Sequence, residues 1–351
     1  MLKKILRGVL WALGTLMLLS ACGYGYWQGF GLDERPKPNT AARAADLDLM
    51  KNAVAVKRGR ILAVVSSTPR IGGTNKKAGY ELTELSRAYY TFRANGYEVD
   101  IASPRGGVPP VDEDDMGEAD FAFLNDAGAQ DKVANSIPLA KVDSAAYAAV
   151  YFVGGKGAMF DFADNPDIDR IVRDVYRRGV VGAVCHGPAA LLNVKLDNGK
   201  PLIAGKRMTA FSNAEELFLM ENAHDLFGFL VEDRASAAGA RFVAGPQVLD
   251  NTVVDGRLVT GQNPWSTWSV AEAMITALGH APVARRATAE EVNVHLLATY
   301  YRSGLAAARA ERDRMAQPDR QLVLMHAIVA GMQWRLVDAF NLQRLARRQS
   351  L

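Results

Sequence analysis

The stretch VVGAVCHGPAALL, Val180 to Leu192, sets a cysteine directly beside a histidine, between an apolar run and a helix-forming run. A thiolate is a strong nucleophile and an imidazole a ready proton acceptor, so the pair has the parts for covalent catalysis. VVGAV followed at once by CHGPAAL fits a nucleophile elbow, a sharp strand-to-helix turn that presents one side chain at the top of a sheet. Such a turn is crowded and needs small neighbours. Ala183 lies two residues before Cys185 and Gly187 two after. The sulfur would sit at the N-terminus of a helix starting near Pro188, whose dipole lowers a thiol pKa. Proline suits that first turn, where no backbone donor is required. On this reading Cys185 is presented rather than buried.

An elbow requires a sheet, and the pattern before it supplies one. ILAVVSS (Ile61 to Ser67) is an apolar run of strand length, and YELTELSRAYYTFRAN (Tyr80 to Asn95) carries Leu82, Leu85, Tyr89 and Phe92 at helical spacing. YEVDIAS (Tyr97 to Ser103) reads as a strand again, which completes a βαβ unit. The cycle repeats with AVYFVGG (Ala149 to Gly155), a helix near Ile168 to Arg178, then VVGAV. Several parallel strands with helices on both faces follow. Further on, RMTAF (Arg207 to Phe211) leads into a helix near Ala214. NTVVDGRLVTG (Asn251 to Gly261) reads as a hairpin turning at Asp255 and Gly256, and Ser269 to Gly279 as a closing helix.

At this point the residues carry a family resemblance. AVCHGPAAL, with GYELTELSRAYYTFRANGYEVDIASPRGG, GGKGAMFDFADNP and TAFSNAEE, resembles the ThiJ/PfpI superfamily over roughly Arg58 to His280. The motifs occur in order, which makes the match specific. The resemblance implies the class I glutamine amidotransferase-like fold, a flavodoxin-like α/β sandwich, and the fitting branch is that of the heat-shock chaperones and glutathione-independent glyoxalase III enzymes. It implies Cys185 as nucleophile, His186 as its neighbouring base, Glu216 as the acid orienting that base with Glu215 the adjacent candidate, and Glu84 as the carboxyl that hydrogen-bonds the sulfur. Gly155 and the backbone N–H of His186 fit an oxyanion hole, since glycine lets a donor approach a carbonyl closely. A carboxyl beside a thiolate is pushed toward its protonated form, as a general acid requires. Where the branch reads Gly-Gly-His-Gly this chain has Gly154, Gly155, Lys156 and Gly157, so Lys156 is a possible modulator whose ammonium would favour the thiolate.

The ends of the chain read differently. Lys3, Lys4 and Arg7 precede an apolar run from Val9 to Leu19, the layout of an export signal. Leu19, Ser20, Ala21 and Cys22 resemble a bacterial lipobox, making Cys22 a candidate lipid anchor. Alternatively Gly8 to Trp27 stays uncleaved and spans a bilayer, with Tyr24, Tyr26 and Trp27 as an interfacial belt. Either way the domain is expected outside the cytoplasm, anchored by its N-terminus at the bacterial cell envelope. Cys185 then has no partner for a disulfide. Residues 285–351 hold eleven arginines and no lysine and read as two or three helices. Their apolar run Leu322 to Trp334 is too short to span a membrane. It packs on the main domain or a second subunit, or forms a basic amphipathic surface for anionic lipid. The expected division is a signal or anchor over 1–22, a linker over 23–58, the α/β domain over 59–282 and a helical extension over 283–351.

A net charge of +3 over 351 residues, without interleaved basic and aromatic residues, gives no nucleic-acid surface. His224, His280, His295 and His326 have no metal-ligand spacing. The expected function is glyoxalase III-like conversion of a small reactive carbonyl, needing neither metal nor organic cofactor, in a possible homodimer. The alternatives are a membrane-tethered holdase or thiol redox sensor, and an amidase or peptidase. A glutaminase fits least, because CHGPAAL lacks the Cys-x-Gly-Gln pattern.

Overall fold

The computed structural model describes residues 2–28, 30, 37–315 and 319–347; side chains at 2–10 and 12 lie outside the described residues. The chain divides into two compact units, one of Pro38–Arg286 and one of Met1–Lys37 with Ala287–Leu351.

The Pro38–Arg286 unit is built on a seven-stranded sheet. Its strands are β1 (Gly59–Val64), β2 (Tyr97–Ser103), β3 (Ile137–Pro138), β4 (Ala149–Phe152), β5 (Val180–Val184), β6 (Thr252–Asp255) and β7 (Leu258–Gly261). They lie in the order β6-β7-β5-β4-β1-β2-β3. All neighbours run parallel except the β6–β7 hairpin, which turns where the sequence places it. The fold class is therefore the expected one, a mostly parallel sheet flanked by helices.

Strand alternation sorts the core into two layers. Ile61, Ala63, Tyr151 and Val184 join one apolar cluster with Leu82, Leu85 and Phe92 of the helix Leu82–Ala94 (α2). Leu62, Val64, Phe152, Val181 and Ala183 join another with Ile168, Ile171 and Val175 of the helix Pro166–Tyr176 (α3). Asn165 caps α3 and Pro166 opens it, which fixes its start two residues earlier than the hydrophobic spacing alone suggests. Gly182 of β5 faces the helix Thr267–Ala277 (α5) across such a narrow gap that a Cβ there would lie 2.1 Å from Met274 Sδ.

Two expectations are corrected. The segment after Cys185 is a short 3₁₀ helix, Gly187–Leu191, not an α-helix from Pro188. Its start is pressed against the sheet, where a Cβ on Gly187 would meet the Phe152 carbonyl at 2.3 Å. Residues 38–58 are no tether: Ala42, Leu47 and Leu49 are buried in the α2-side core, and Asn52 donates to the Ala284 carbonyl at 3.0 Å. Within RMTAF, Arg207–Met208 forms a short strand paired with Arg241–Phe242 outside the main sheet.

In the other unit, α1 covers Leu2–Gln28, and the C-terminal region folds as α6 (Ala289–Arg312), α7 (Arg320–Met332) and α8 (Leu336–Ala346). Gly304, at φ 82°, breaks α6 internally. Tyr300 of α6 donates to Asp338 of α8 at 2.8 Å, and the Arg312 guanidinium caps the Leu345 carbonyl at 2.7 Å. Among the described residues no helix is long and apolar enough to cross a membrane. The expected signal run falls partly outside the described side chains, including the basic flank Lys3, Lys4 and Arg7.

The Gly182–Met274 contact makes a prediction: Gly182→Ala overpacks the sheet–α5 interface and lowers unfolding free energy by about 1–3 kcal/mol. Urea denaturation should show most of that loss recovered in the Gly182→Ala/Met274→Ala pair relative to Met274→Ala alone. Simple additivity would reject the contact as the cause.

Candidate active site

The carboxyl ends of β1, β4 and β5 meet where the chain leaves β1 for one side of the sheet and β4 for the other, the place where open α/β sheets hold ligands. Continuing the alternation of β5 would put residue 185 with Val181 and Ala183 on the α3 side. Instead Cys185 has φ +57°, and its side chain joins the α2-side cluster. A left-handed non-glycine residue costs about 1 kcal/mol or more and persists only where its surroundings fix it. Here its N–H donates to the Gly261 carbonyl at 3.0 Å and its own carbonyl accepts from Phe211 N at 2.8 Å. The elbow is thus clamped by the end of β7 on one side and the segment before the next helix on the other.

That reversal brings the sulfur to Glu84. The glutamate stands in the first turn of α2, a position usually left to solvent, yet it is fully buried. Its Oε2 accepts from Gly154 N at 2.6 Å, and its backbone carbonyl accepts from Tyr151 Oη at 3.0 Å. Burial pushes its carboxyl up to about 8, against the opposing pull of the Gly154 N–H, the Cys185 thiol, Arg87 and Lys156. The same burial, with Glu84 and Glu81 as negative neighbours, holds the Cys185 thiol well above the ordinary value, and the Gly155 N–H aimed at the sulfur opposes this. Cys185 is 5% exposed. The expected presented, low-pKa thiol is therefore corrected: the elbow is present, but it points inward, and desolvation outweighs the short 3₁₀ turn behind it.

His186 carries the other half. Its Nδ1 lies 3.3 Å from Cys185 Sγ and its Nε2 2.6 Å from Glu216 Oε2, both groups buried. Phe211 covers the imidazole at a centroid distance of 4.7 Å. Glu216 lies in the first turn of α4 (Asn213–Leu219). Its neighbour Glu215 is committed elsewhere: it accepts from Val248 N at 2.9 Å and from Gln262 Nε2, Asn263 Nδ2 and Ser212 Oγ, each at 2.8 Å. Of the two adjacent glutamates, Glu216 meets the histidine and Glu215 ties the loop around Val248 to α4.

Gly155, at φ +90°, admits no substitute, since a Cβ would lie 2.5 Å from the Gly79 carbonyl and 2.7 Å from Glu81 N. His186 serves as N-cap of the 3₁₀ turn. Lys156 sits differently from the expectation. Its Nζ pairs with Asp112 at 3.7 Å, and its field acts on Glu81 and Glu84 rather than dominating the thiol. Glu81 was not singled out from sequence. Its carboxyl is pushed up to about 9 by burial, then by Glu84, Asp112 and Asp114, with Lys156 opposing. The spacing Glu81-x-x-Glu84 at the start of a helix was the available signal. Cys22, exposed on α1, is a free thiol. Among the described residues no cluster of histidine, cysteine and carboxylates could hold a metal ion.

The DJ-1/PfpI family matches residues 76–277. Glyoxalase 3 of Candida albicans is 32% identical over 228 residues, covering 62% of this chain and 97% of that protein. The glutathione-independent glyoxalase HSP31 of Saccharomyces cerevisiae is 34% identical over 235 residues, with the same two coverages of 62% and 97%. Among solved structures, the 24 kDa rapid encystment protein of Francisella tularensis superposes with a TM-score of 0.60 at 35% identity, over 63% of this chain and 99% of that one. Glyoxalase III of Candida albicans superposes with a TM-score of 0.57 at 29% identity, over 62% and 97%.

The raised carboxyl makes stability depend on pH. A glutamate whose folded pKa of about 8 exceeds its unfolded value of 4.5 binds its proton more tightly when folded. Its contribution is fully present below the unfolded value and is lost as pH rises through the folded one. Urea unfolding at pH 5, 7 and 9 should show wild type losing on the order of a few kcal/mol relative to Glu84→Gln across that window. Parallel pH profiles for the two proteins would contradict the buried, protonated carboxyl.

Proposed function

The chain belongs to the DJ-1/PfpI family, and from that premise we propose that it is a glutathione-independent, glyoxalase III-like enzyme acting on a small dicarbonyl such as methylglyoxal. The observation that most favours this is the inward elbow: one buried thiol with a proton-carrying carboxyl on one side and a histidine–glutamate pair on the other. Both glyoxalase relatives align along nearly their whole length with this chain.

The proposed cycle needs only this chain's residues and water. The Cys185 thiol adds to the aldehyde carbon, forming a C–S bond while its proton passes through Glu84 or His186 to the carbonyl oxygen, which gives a hemithioacetal. A thiol that is neutral at rest suits this step, because it brings the proton that the carbonyl oxygen takes up as the C–S bond forms. The same groups then take the proton from the former aldehyde carbon to give an enediol, and return a proton to the adjacent carbon while the hydroxyl proton passes to the neighbouring oxygen, producing a thioester. Gly155 N–H, already directed at the sulfur, and the His186 amide stand as donors for the oxygen that gains charge. Water cleaves the thioester to lactate and restores the thiol. Glu216 holds the His186 ring in place as a carboxylate holds the base of a triad. Lys156, tied to Asp112, sets how much negative charge Glu81 and Glu84 tolerate.

We place this enzyme at the bacterial cell envelope, tethered by its N-terminus. The basic flank and lipobox-like LSAC support that reading, as do an exposed Cys22 and the exposed Trp11, Leu16, Met17, Leu18 and Leu19 of α1. A redox-sensor role is less favoured, since its thiol would need to be exposed and acidic.

The test is consumption of methylglyoxal and appearance of lactate without glutathione. Cys185→Ala should lower kcat/KM by about 10³-fold or more with the circular dichroism spectrum and Tm preserved, and Glu216→Gln by roughly 10²-fold. An unchanged rate in Cys185→Ala would remove the thiol from the mechanism.

A further inference from the structure

The unit that holds α1 exposes a second feature that the enzymatic reading leaves unused. Ile328 and Met332 at the end of α7, Trp334 in the connection, and Leu336, Val337 and Phe340 at the start of α8 are all exposed, Trp334 at 84% and Val337 at 76%. They come from one sharp turn between two helices that pack closely, Gly331 standing where an added Cβ would be 3.9 Å from Ala339 Cβ. Trp334 itself sits at φ +60°, turned out of the helical path. Six large apolar side chains grouped at a helical turn form a contact surface rather than scattered exposure.

Two observations say what covers it. The first is charge: residues 285–351 carry eleven arginines against six acidic residues, a net +5, whereas the whole chain carries +3. Arg335, between Trp334 and Leu336, pairs with Asp338 at 3.3 Å, and the exposed Arg344 guanidinium lies over the Phe340 ring at 5.7 Å. The second is continuity with the proposed anchor. Near the end of α1, Tyr26 hydrogen-bonds Gln343 of α8, and Arg347 stacks over the Tyr26 ring at 4.0 Å and the Phe30 ring at 6.0 Å. The exposed aromatics Tyr24 and Trp27 flank Tyr26 on α1 and belong to the same unit as the apolar turn.

We infer that the α7–α8 turn is a lipid-docking surface that inserts Trp334, Val337 and Phe340 into the interface of an anionic phospholipid bilayer, with arginines at the headgroups. Aromatic residues prefer that depth, and an apolar face joined to a basic one binds anionic lipid more strongly than either does alone. The two contacts, α1 and the turn, would hold the unit at two points of one membrane. The inference builds on the tether reading but does not depend on the glyoxalase reading.

The full-length chain is mixed with vesicles of phosphatidylcholine alone or with phosphatidylglycerol, brominated in the acyl chains. Two readouts are taken: flotation, and quenching of the emission that Trp334→Phe removes. The expected result is flotation together with quenching of the Trp334 contribution. That quenching should drop several-fold in Val337→Ser/Phe340→Ser and in phosphatidylcholine alone, and about five-fold in vesicle affinity terms per arginine removed, as in Arg344→Gln. The circular dichroism spectrum and Tm should be unaltered in these variants, which checks folding. Flotation without Trp334 quenching overturns the docking surface while leaving the tether standing. Trp334 quenching with release of the chain by high salt supports the docking surface and overturns the tether. No association with either vesicle overturns both. A detergent-solubilised dimer that becomes monomeric in Val337→Ser/Phe340→Ser, with Trp334 unquenched, assigns the face to a second copy and overturns the proposal.

Discussion

One buried carboxyl organises this protein's candidate site. Glu84 receives the Gly154 N–H, lies against the Cys185 thiol, and has its own backbone carbonyl fixed by Tyr151. A charged carboxylate at that depth would be costly, so the site favours a proton on the carboxyl. The surrounding sequence can be read as what this arrangement demands. Gly154 has no room for a Cβ, which would lie 2.7 Å from Glu84 Oε2 and 2.8 Å from Cys185 Cβ. Gly155 must take a left-handed conformation to bring its N–H to the sulfur. Cys185 must take one too, against its own preference, because ordinary strand alternation would turn it toward the opposite layer of the core.

The electrostatic order differs from that of a cysteine activated by a helix dipole. Desolvation is the largest influence on both Cys185 and Glu84; Glu84 raises the thiol further, while the hydrogen bond from the thiol pulls the Glu84 carboxyl back down. Thiol and carboxyl therefore behave as a coupled pair sharing protons rather than as a preformed thiolate with a spectator. His186 and Glu216 stand on the other side of the sulfur, so proton removal and proton delivery can be served by different groups. Lys156 acts one step away, through its pair with Asp112 and its field on Glu81 and Glu84.

Much of this was legible in the sequence because the signals were local. The apolar runs at 61–64 and 180–184 have strand length and recur in a βαβ order that implies buried parallel strands, and small residues around Cys185 announced a crowded turn. The hairpin at Asp255 and Gly256 follows from its turn residues alone. What escaped were the quantities set by distant parts of the chain. Whether Cys185 faces outward or inward depends on bonds to Gly261 and Phe211, far away in sequence. The resemblance already implies Glu216 over Glu215, but the reason Glu215 is unavailable lies with Gln262, Asn263 and Val248, distant residues that claim it. The packing of 42–49 was hidden because a charged, alanine-rich segment reads as a linker until a core is there to receive Leu47 and Leu49.

The central claim is that Cys185 and Glu84 are protonically coupled in a desolvated pocket. Its most direct measurement is the thiolate absorbance of Cys185 titrated against pH in wild type and Glu84→Gln, with Cys185→Ser subtracted as the blank. The account predicts a wild-type thiol that ionises above the ordinary range of a free cysteine, and a distinctly lower midpoint once the carboxyl is replaced by the neutral amide. Coincident midpoints in the two proteins, or a wild-type thiol already ionised at neutral pH, would contradict it.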